Sequence, residues 1–103
     1  MIYLDYNATT PVDHRVAEAM IPYLTEHFGN PGSNHALGYT TREAIELARI
    51  RMADLINAGT DNVVFTGCAT EGNNTIIKGV AQAQESKGRH IIASSVEHPS
   101  IME

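Results

Sequence analysis

Apolar residues form short runs and helical stripes that alternate in the second half of the chain. Continuous runs predict strands over residues 63–66 and 90–94. Between them, apolar residues at helical spacing predict a helix from about residue 70 to residue 86: Ile76, Ile77, Val80 and Ala81. Strand, helix and strand over about thirty residues form a βαβ unit. The pattern therefore predicts an α/β fold with a mainly parallel sheet and right-handed crossovers.

The first half of the chain predicts a short strand over residues 2–4 and then a helix. That helix begins near Asp13 as its N-cap, and Pro22 bends it because proline lacks a backbone N–H. Its apolar stripe, at helical spacing, consists of Val16, Met20 and Leu24.

Turn-forming residues over 29–38 predict a loop, and a second helix follows it. Thr40 and Glu43 have the spacing of a capping box at the start of this helix. Gly59 lies just beyond its expected end. The face expected to be buried consists of Ile45, Ala48, Met52 and Leu55. The last predicted helix begins near Pro99, a residue suited to a first turn.

Composition limits the range of functions. A chain of 103 residues is one modest domain or part of a larger one, and its net charge of −5 disfavours nucleic acid or an anionic membrane as partner. We find no apolar run long enough to span a bilayer and no signal peptide. Since a single cysteine cannot form an internal disulfide, we expect a cytoplasmic protein.

Two polar turns, residues 67–74 and 94–100, each follow a predicted strand. The carboxyl ends of parallel strands meet at one edge of a sheet, where ligands bind. The first turn opens a helix, whose unpaired backbone N–H groups attract a phosphate or another anion, and Thr70 adds a hydroxyl. The simpler alternative is that Thr70 only caps the helix. Walker and dinucleotide spacings are absent from the turn, which disfavours a nucleotide.

His98, in the second turn, is a candidate to face a ligand bound at the first, where its ring could stack and move protons. The alternative is a solvated or capping histidine. Cys68 could be a nucleophile activated by the helix N-terminus, or a small buried residue that fills a tight turn. The histidines lack metal-ligand spacing, so we predict no metal site. Lys78 and Lys87 are expected on the surface.

Several motifs, in order along the whole chain, resemble signatures of the cysteine desulfurases, pyridoxal-phosphate enzymes that supply sulfur for iron–sulfur clusters. They are Tyr-Leu-Asp-Tyr-Asn-Ala-Thr-Thr-Pro at 3–11, Phe-Gly-Asn-Pro at 28–31 with Ser33, His35 and Gly38, Phe-Thr at 65–66, Ala-Thr-Glu at 69–71, Asn-Asn at 73–74, Ile-Lys-Gly at 77–79, His-Ile-Ile at 90–92 and Glu-His at 97–98. The chain departs from the family at Cys68, where glycine is common, and a side chain there would strain a turn that needs positive φ.

The resemblance implies the N-terminal part of the fold-type I pyridoxal-phosphate transferase fold. Residues 1–12 would belong with the small domain, and residues 13–103 would begin the large cofactor-binding α/β domain. By the same resemblance, Ala69 and Thr70 would hold the phosphate of pyridoxal 5'-phosphate. His98 would stack on its pyridine ring as the catalytic and cofactor-binding histidine.

The implied reaction converts L-cysteine to L-alanine and transfers sulfur to an enzyme cysteine as a persulfide. The implied partners are a second subunit in a homodimer and an iron–sulfur scaffold or another sulfur acceptor. The cofactor-binding lysine and the persulfide cysteine of the family lie beyond residue 103, so we expect the chain alone to be inactive. The alternatives are a selenocysteine lyase, a kynureninase-like or aminotransferase-like enzyme, or a non-catalytic split-gene half that pairs with a longer protomer.

Overall fold

The structure, a computed structural model, describes residues 1–102 and divides the chain into two units. The N-terminal unit is Met1–Val63 and the C-terminal unit is Val64–Glu103. The elements of the described residues are α1 (His14–Thr25), α2 (Ala36–Leu55), a 3-10 turn (Thr60–Asn62), α3 (Ala69–Ala83) and α4 (Pro99–Met102). None of these helices is long and apolar enough to cross a membrane.

Helix α1 begins as the sequence predicts. Asp13 is its N-cap, and the Asp13 carboxylate accepts a hydrogen bond from the backbone N–H of Arg15 at 2.8 Å. The Arg15 guanidinium also donates to both oxygens of this carboxylate, at 3.0 and 2.7 Å. The helix continues through Pro22 to Thr25. The bend expected at Pro22 stays a prediction.

Helix α2 begins at Ala36, five residues before the start that a Thr40 N-cap predicts, so the capping-box prediction is wrong. The N-cap is His35, whose Nδ1 accepts a hydrogen bond from the backbone N–H of Gly38 at 3.3 Å. The Thr40 hydroxyl donates instead to the carbonyl of Ala36. An imidazole in an extended residue can thus satisfy a helix start without a Ser, Thr, Asp or Asn.

The end of α2 also differs from the prediction. The helix stops at Leu55, and Asn57 rather than Gly59 adopts the left-handed conformation that follows, with φ of 53°. Asparagine tolerates this conformation because its short polar side chain bonds locally. The backbone N–H of Ala58 then donates to the carbonyl of Ala53 at 2.9 Å, which satisfies one of the last helical carbonyls.

The loop before α2 packs closely against the first turns of that helix. The buried Thr41 hydroxyl lies 2.8 Å from the carbonyl of Gly29, to which it can donate. Nε of Arg42 donates to the carbonyl of Pro31, also at 2.8 Å. A Cβ at Gly38 would lie 2.3 Å from the carbonyl oxygen of Ser33, so only glycine permits this approach. The loop is therefore held by α2 at both ends.

No β-ladder joins any residues of the described part of the chain, so the strands predicted over 2–4, 63–66 and 90–94 are not formed here. Val63 has extended dihedral angles, φ −103° and ψ 118°, yet its N–H donates to Thr60 and closes the 3-10 turn. An extended segment becomes a strand only when a neighbour supplies ladder bonds. The parallel sheet is thus not confirmed by this structure.

The core is much smaller than the sequence predicts. Within residues 1–102, Ala53 is the one buried apolar residue. The face of α2 expected to be buried is exposed: Ile45 by 37%, Met52 by 43% and Leu55 by 78%. The predicted stripe of α1 is exposed as well. Periodicity identifies an apolar face correctly, but burial requires a packing partner for that face.

Candidate functional site

The turn that opens α3 presents backbone donors to solvent. Ala69 is the first residue of the helix and Thr70 the second, and both are exposed. The first helical hydrogen bond runs from the N–H of Gly72 to the carbonyl of Cys68, at 3.1 Å. Among residues 1–102, the amides of Ala69 and Thr70 and the Thr70 hydroxyl have no hydrogen-bond partner. These donors, at the positive end of the helix dipole, suit an anionic ligand.

Glu71 stabilises this turn from inside the helix. Its carboxylate accepts a hydrogen bond from the backbone N–H of Gly67 at 2.6 Å, close to the pattern of a capping box. One donor of the turn is therefore satisfied internally, while those of Ala69 and Thr70 stay available. This role of Glu71 was not predicted from the sequence. The signal was present in the spacing, since Glu71 is the third helical residue after the N-cap Cys68.

Cys68 differs from its predicted environment in one respect. The residue is exposed, so the interpretation of a buried cysteine that fills a tight turn is wrong. Its backbone is extended, with φ of −162° and ψ of 169°, a conformation open to any residue. The strain expected from a side chain at this position is therefore absent.

The second turn leads into α4, which begins at Pro99 as predicted. Nδ1 of His98 accepts a hydrogen bond from the backbone N–H of Ser100 at 3.1 Å and lies 2.9 Å from the Ser100 hydroxyl. Nδ2 of Asn73, on α3, donates to the same hydroxyl at 3.0 Å. The structure therefore connects the second turn to α3, three residues after Thr70.

Asn73 and Ser100 were not identified as site residues from the sequence. A contact between side chains 27 positions apart has no local signature. The available hint was helical spacing, because Asn73 follows Thr70 by three positions and residues at that spacing share a helix face.

Other features lie apart from these two turns. A cavity of about 600 Å³ runs along α3 and is mainly apolar, with Ile76, Val80 and Ile91 in its lining. A second cavity, of about 570 Å³, lies in the N-terminal unit between α1 and α2. Lys78 and Lys87 are exposed, as predicted. Across residues 1–102, no group of three or more His, Cys, Asp or Glu side chains is arranged to hold a metal ion.

Comparison with known proteins gives consistent similarities along the chain. The family described as aminotransferase class-V matches residues 2–103. A cysteine desulfurase IscS of Neisseria gonorrhoeae is 56% identical over 103 residues, which cover 99% of this chain and 26% of that protein. Cysteine desulfurase IscS 1 of Archaeoglobus fulgidus is 52% identical over 102 residues, covering 99% and 27%.

The solved structure of a NifS-like protein is similar in three dimensions. Its TM-score is 0.87 at 40% sequence identity, and the match covers 98% of this chain and 28% of that chain. The chain thus spans about a quarter of the length of the curated relatives that it matches.

Proposed function

Because this chain belongs to the aminotransferase class-V family, we propose that it is part of a cysteine desulfurase. Such an enzyme converts L-cysteine to L-alanine and transfers the sulfur to an enzyme persulfide for iron–sulfur clusters or other sulfur-containing cofactors. The observation that carries this proposal is identity above 50%, over the whole chain, to proteins named cysteine desulfurase from both a bacterium and an archaeon.

The proposed architecture follows the fold family of the NifS-like structure. We propose that residues 63–66 and 90–94 are strands of a parallel sheet when neighbouring strands pair with them. Residues 1–12 would lie with the small domain, and residues 13–103 would begin the large α/β domain. The extended backbone of Val63 supports this assignment, because the residue already has strand-like dihedral angles.

The residues of the α3 turn fit pyridoxal 5'-phosphate. The amides of Ala69 and Thr70 and the Thr70 hydroxyl would hold the phosphate, since all three are unpaired donors within the described residues at a helix N-terminus. His98 would lie against the pyridine ring as the catalytic histidine. When bound, the cofactor supplies an electron sink for negative charge at the substrate Cα.

Ala69, Thr70 and His98 would bind and orient the cofactor, but they would not by themselves carry out sulfur transfer. Glu71 occupies the Gly67 amide and so keeps the turn in shape. His98, held through Nδ1, keeps Nε2 as the ring nitrogen free to exchange a proton with a ligand. We further propose a cytoplasmic homodimer that delivers sulfur to an iron–sulfur scaffold or another acceptor protein.

The direct test uses the protein expressed from its complete coding sequence. Supplied with pyridoxal phosphate and L-cysteine, it is expected to release L-alanine and, with a thiol reductant, sulfide in equal amounts. L-Selenocysteine and L-kynurenine serve as competing substrates. Preference for either of these, or release of alanine without sulfur transfer, would contradict the proposal and assign the protein to another class-V activity.

A further inference from the structure

A chain of hydrogen bonds connects α3 to the ring of His98. Nδ2 of Asn73 donates to Oγ of Ser100 at 3.0 Å, and this Oγ lies 2.9 Å from Nδ1 of His98. The backbone N–H of Ser100 reaches the same ring nitrogen at 3.1 Å. Asn73 and Ser100 are half-buried, whereas His98 is exposed. Two sheltered side chains therefore hold a ring that solvent or a ligand can reach.

The bonds define where each proton lies. A backbone N–H can only donate, so Nδ1 of His98 must be the acceptor, and the neutral ring carries its proton on Nε2. The Ser100 hydroxyl then meets Nδ1 as a donor, because an unprotonated nitrogen can only accept. Its oxygen in turn accepts from the amide of Asn73, which requires the amide nitrogen, not the amide oxygen, to face Ser100.

We propose that Asn73 and Ser100 are positioning residues that hold His98 in the Nε2–H tautomer and in one orientation for the cofactor ring. This inference rests on the proposed function, because it concerns how His98 meets pyridoxal phosphate. A ring already held in one orientation loses less freedom when a ligand stacks on it, so the bonds favour binding. The Nε2–H group is then the ring's only donor to a bound ligand.

Nitrogen NMR tests the tautomer of His98. The sample is the protein expressed from its complete coding sequence, labelled with ¹⁵N-histidine and freed of cofactor. His98→Gln identifies the signals. We expect the shift of an unprotonated acceptor at Nδ1 and of a protonated nitrogen at Nε2. Asn73→Ala and Ser100→Ala should each raise the population of the minor Nδ1–H tautomer, although the backbone N–H of residue 100, which remains in both variants, keeps the Nε2–H form the major one. Ser100→Thr, which keeps the hydroxyl, should restore the parent pattern.

Asn74→Ala is the matched control for the loss of an asparagine from α3. The Asn74 amide donates to the carbonyl of Thr70 at 3.0 Å and takes no part in the chain to His98. Its removal should leave the His98 signals unchanged. A parent ring that is mainly protonated at Nδ1, or equal changes in the Asn73 and Asn74 variants, would overturn the inference whether or not the protein binds the cofactor.

Cofactor affinity supplies the second measurement. Asn73→Ala should raise the Kd for pyridoxal phosphate about fivefold, the change expected for one ordinary hydrogen bond. In a His98→Gln background the same substitution should have no further effect, since Asn73 acts through that ring. A further fivefold loss of affinity in that background would show that Asn73 has a merely structural role, and would reject the proposal. A parent protein that binds no pyridoxal phosphate would reject the proposed function and, with it, the cofactor role of Asn73 and Ser100.

Discussion

Thr70 combines two kinds of donor at one residue. Its amide and its hydroxyl both lack a partner within residues 1–102, and the residue is exposed at the start of α3. This arrangement could be predicted from the sequence because it depends only on a helix that begins at Ala69. Binding of a phosphate by these donors is tested by the affinity of Thr70 variants for pyridoxal phosphate.

Thr70→Val removes the hydroxyl and keeps the shape of the side chain. Because a hydrogen bond to a charged group is stronger than one between neutral groups, we expect the Kd for pyridoxal phosphate to rise about tenfold or more. Thr70→Ser keeps the hydroxyl and should stay close to the parent. Fluorescence titration measures both, and equal affinity of the valine variant and the parent would contradict a phosphate contact by this side chain.

Thr41 and Thr40 form a natural pair for testing how the loop before α2 is held. Thr41 is buried and its hydroxyl lies within hydrogen-bonding distance of the Gly29 carbonyl, whereas Thr40 is exposed and bonds only within its helix. Thr41→Val should therefore cost about 1–3 kcal/mol, because a sheltered carbonyl loses its donor. Thr40→Val should change stability by less than about 0.5 kcal/mol. Urea unfolding distinguishes the two, and equal losses would contradict this role of Thr41.

At the scale of single elements, the N-cap of α1 links stability to pH. The hydrogen-bonded side chain of Arg15, followed by the Arg15 backbone N–H, holds the pKa of Asp13 below its ordinary value. A carboxylate whose pKa is lower in the folded state than in the unfolded state stabilises the folded state at pH values above its unfolded-state pKa. This contribution is lost as the pH falls through the folded-state pKa.

Asp13→Asn keeps a capping side chain but removes the titrating group. The stability difference between the parent and this variant should therefore shrink as the pH is lowered from about 6 to below about 3.8, near the ordinary pKa of aspartate. Unfolding midpoints across this range measure the difference. Arg15→Gln serves as the comparison, since it removes the main cause of the shift. A stability difference between the parent and Asp13→Asn that grows as the pH is lowered would contradict this prediction.

The close approach of the loop to α2 depends on glycine. A Cβ at Gly38 would lie 2.3 Å from a backbone oxygen, and one at Gly29 would lie 2.4 Å from another. Gly38→Ala should therefore destabilise the fold by about 1–3 kcal/mol, because backbone must move to accommodate the methyl group. Gly59→Ala is the control, since its nearest atom is at an ordinary 3.5 Å. Thermal unfolding should separate them, and equal melting temperatures would refute the packing argument.

Helices were the elements that local signals predicted well. The N-cap of α1, the start of α3 and the start of α4 follow from spacing and end-capping chemistry, whereas α3 ends at Ala83, three residues before the predicted end. The predicted N-cap of α2, Thr40, was wrong by five residues, because His35 caps the helix through an imidazole nitrogen. The strands were not confirmed, since strand formation depends on partners outside the segment itself.

The surface of the whole chain is large for its mass. Its accessible area is 9028 Å² at 11.2 kDa, whereas a compact protein of that mass exposes about 5,700 Å². Even two separate compact units of half the mass would expose about 6,900 Å². With Ala53 as the buried apolar residue among those described, hydrophobic burial stabilises this chain weakly.

We therefore expect the 103-residue polypeptide, produced by itself, to be marginally stable or to self-associate. Large exposed apolar faces favour association, because contact between them removes apolar area from water. Size-exclusion chromatography combined with hydrogen exchange tests this. Concentration-dependent elution and weak amide protection are expected, whereas a compact monomer with strongly protected amides would contradict the prediction.

The sequence by itself predicted the N-cap of α1, the start of α3 with its exposed backbone donors, the start of α4 and the resemblance to cysteine desulfurases. These depend on neighbours a few positions apart, whose chemistry can be read directly from residue order. Only the tertiary structure showed that His98 is bonded through Ser100 to Asn73, and that the expected apolar core is exposed. Contacts between distant residues arise from how the chain folds back on itself, and the periodicity of a segment does not specify which surface will cover it.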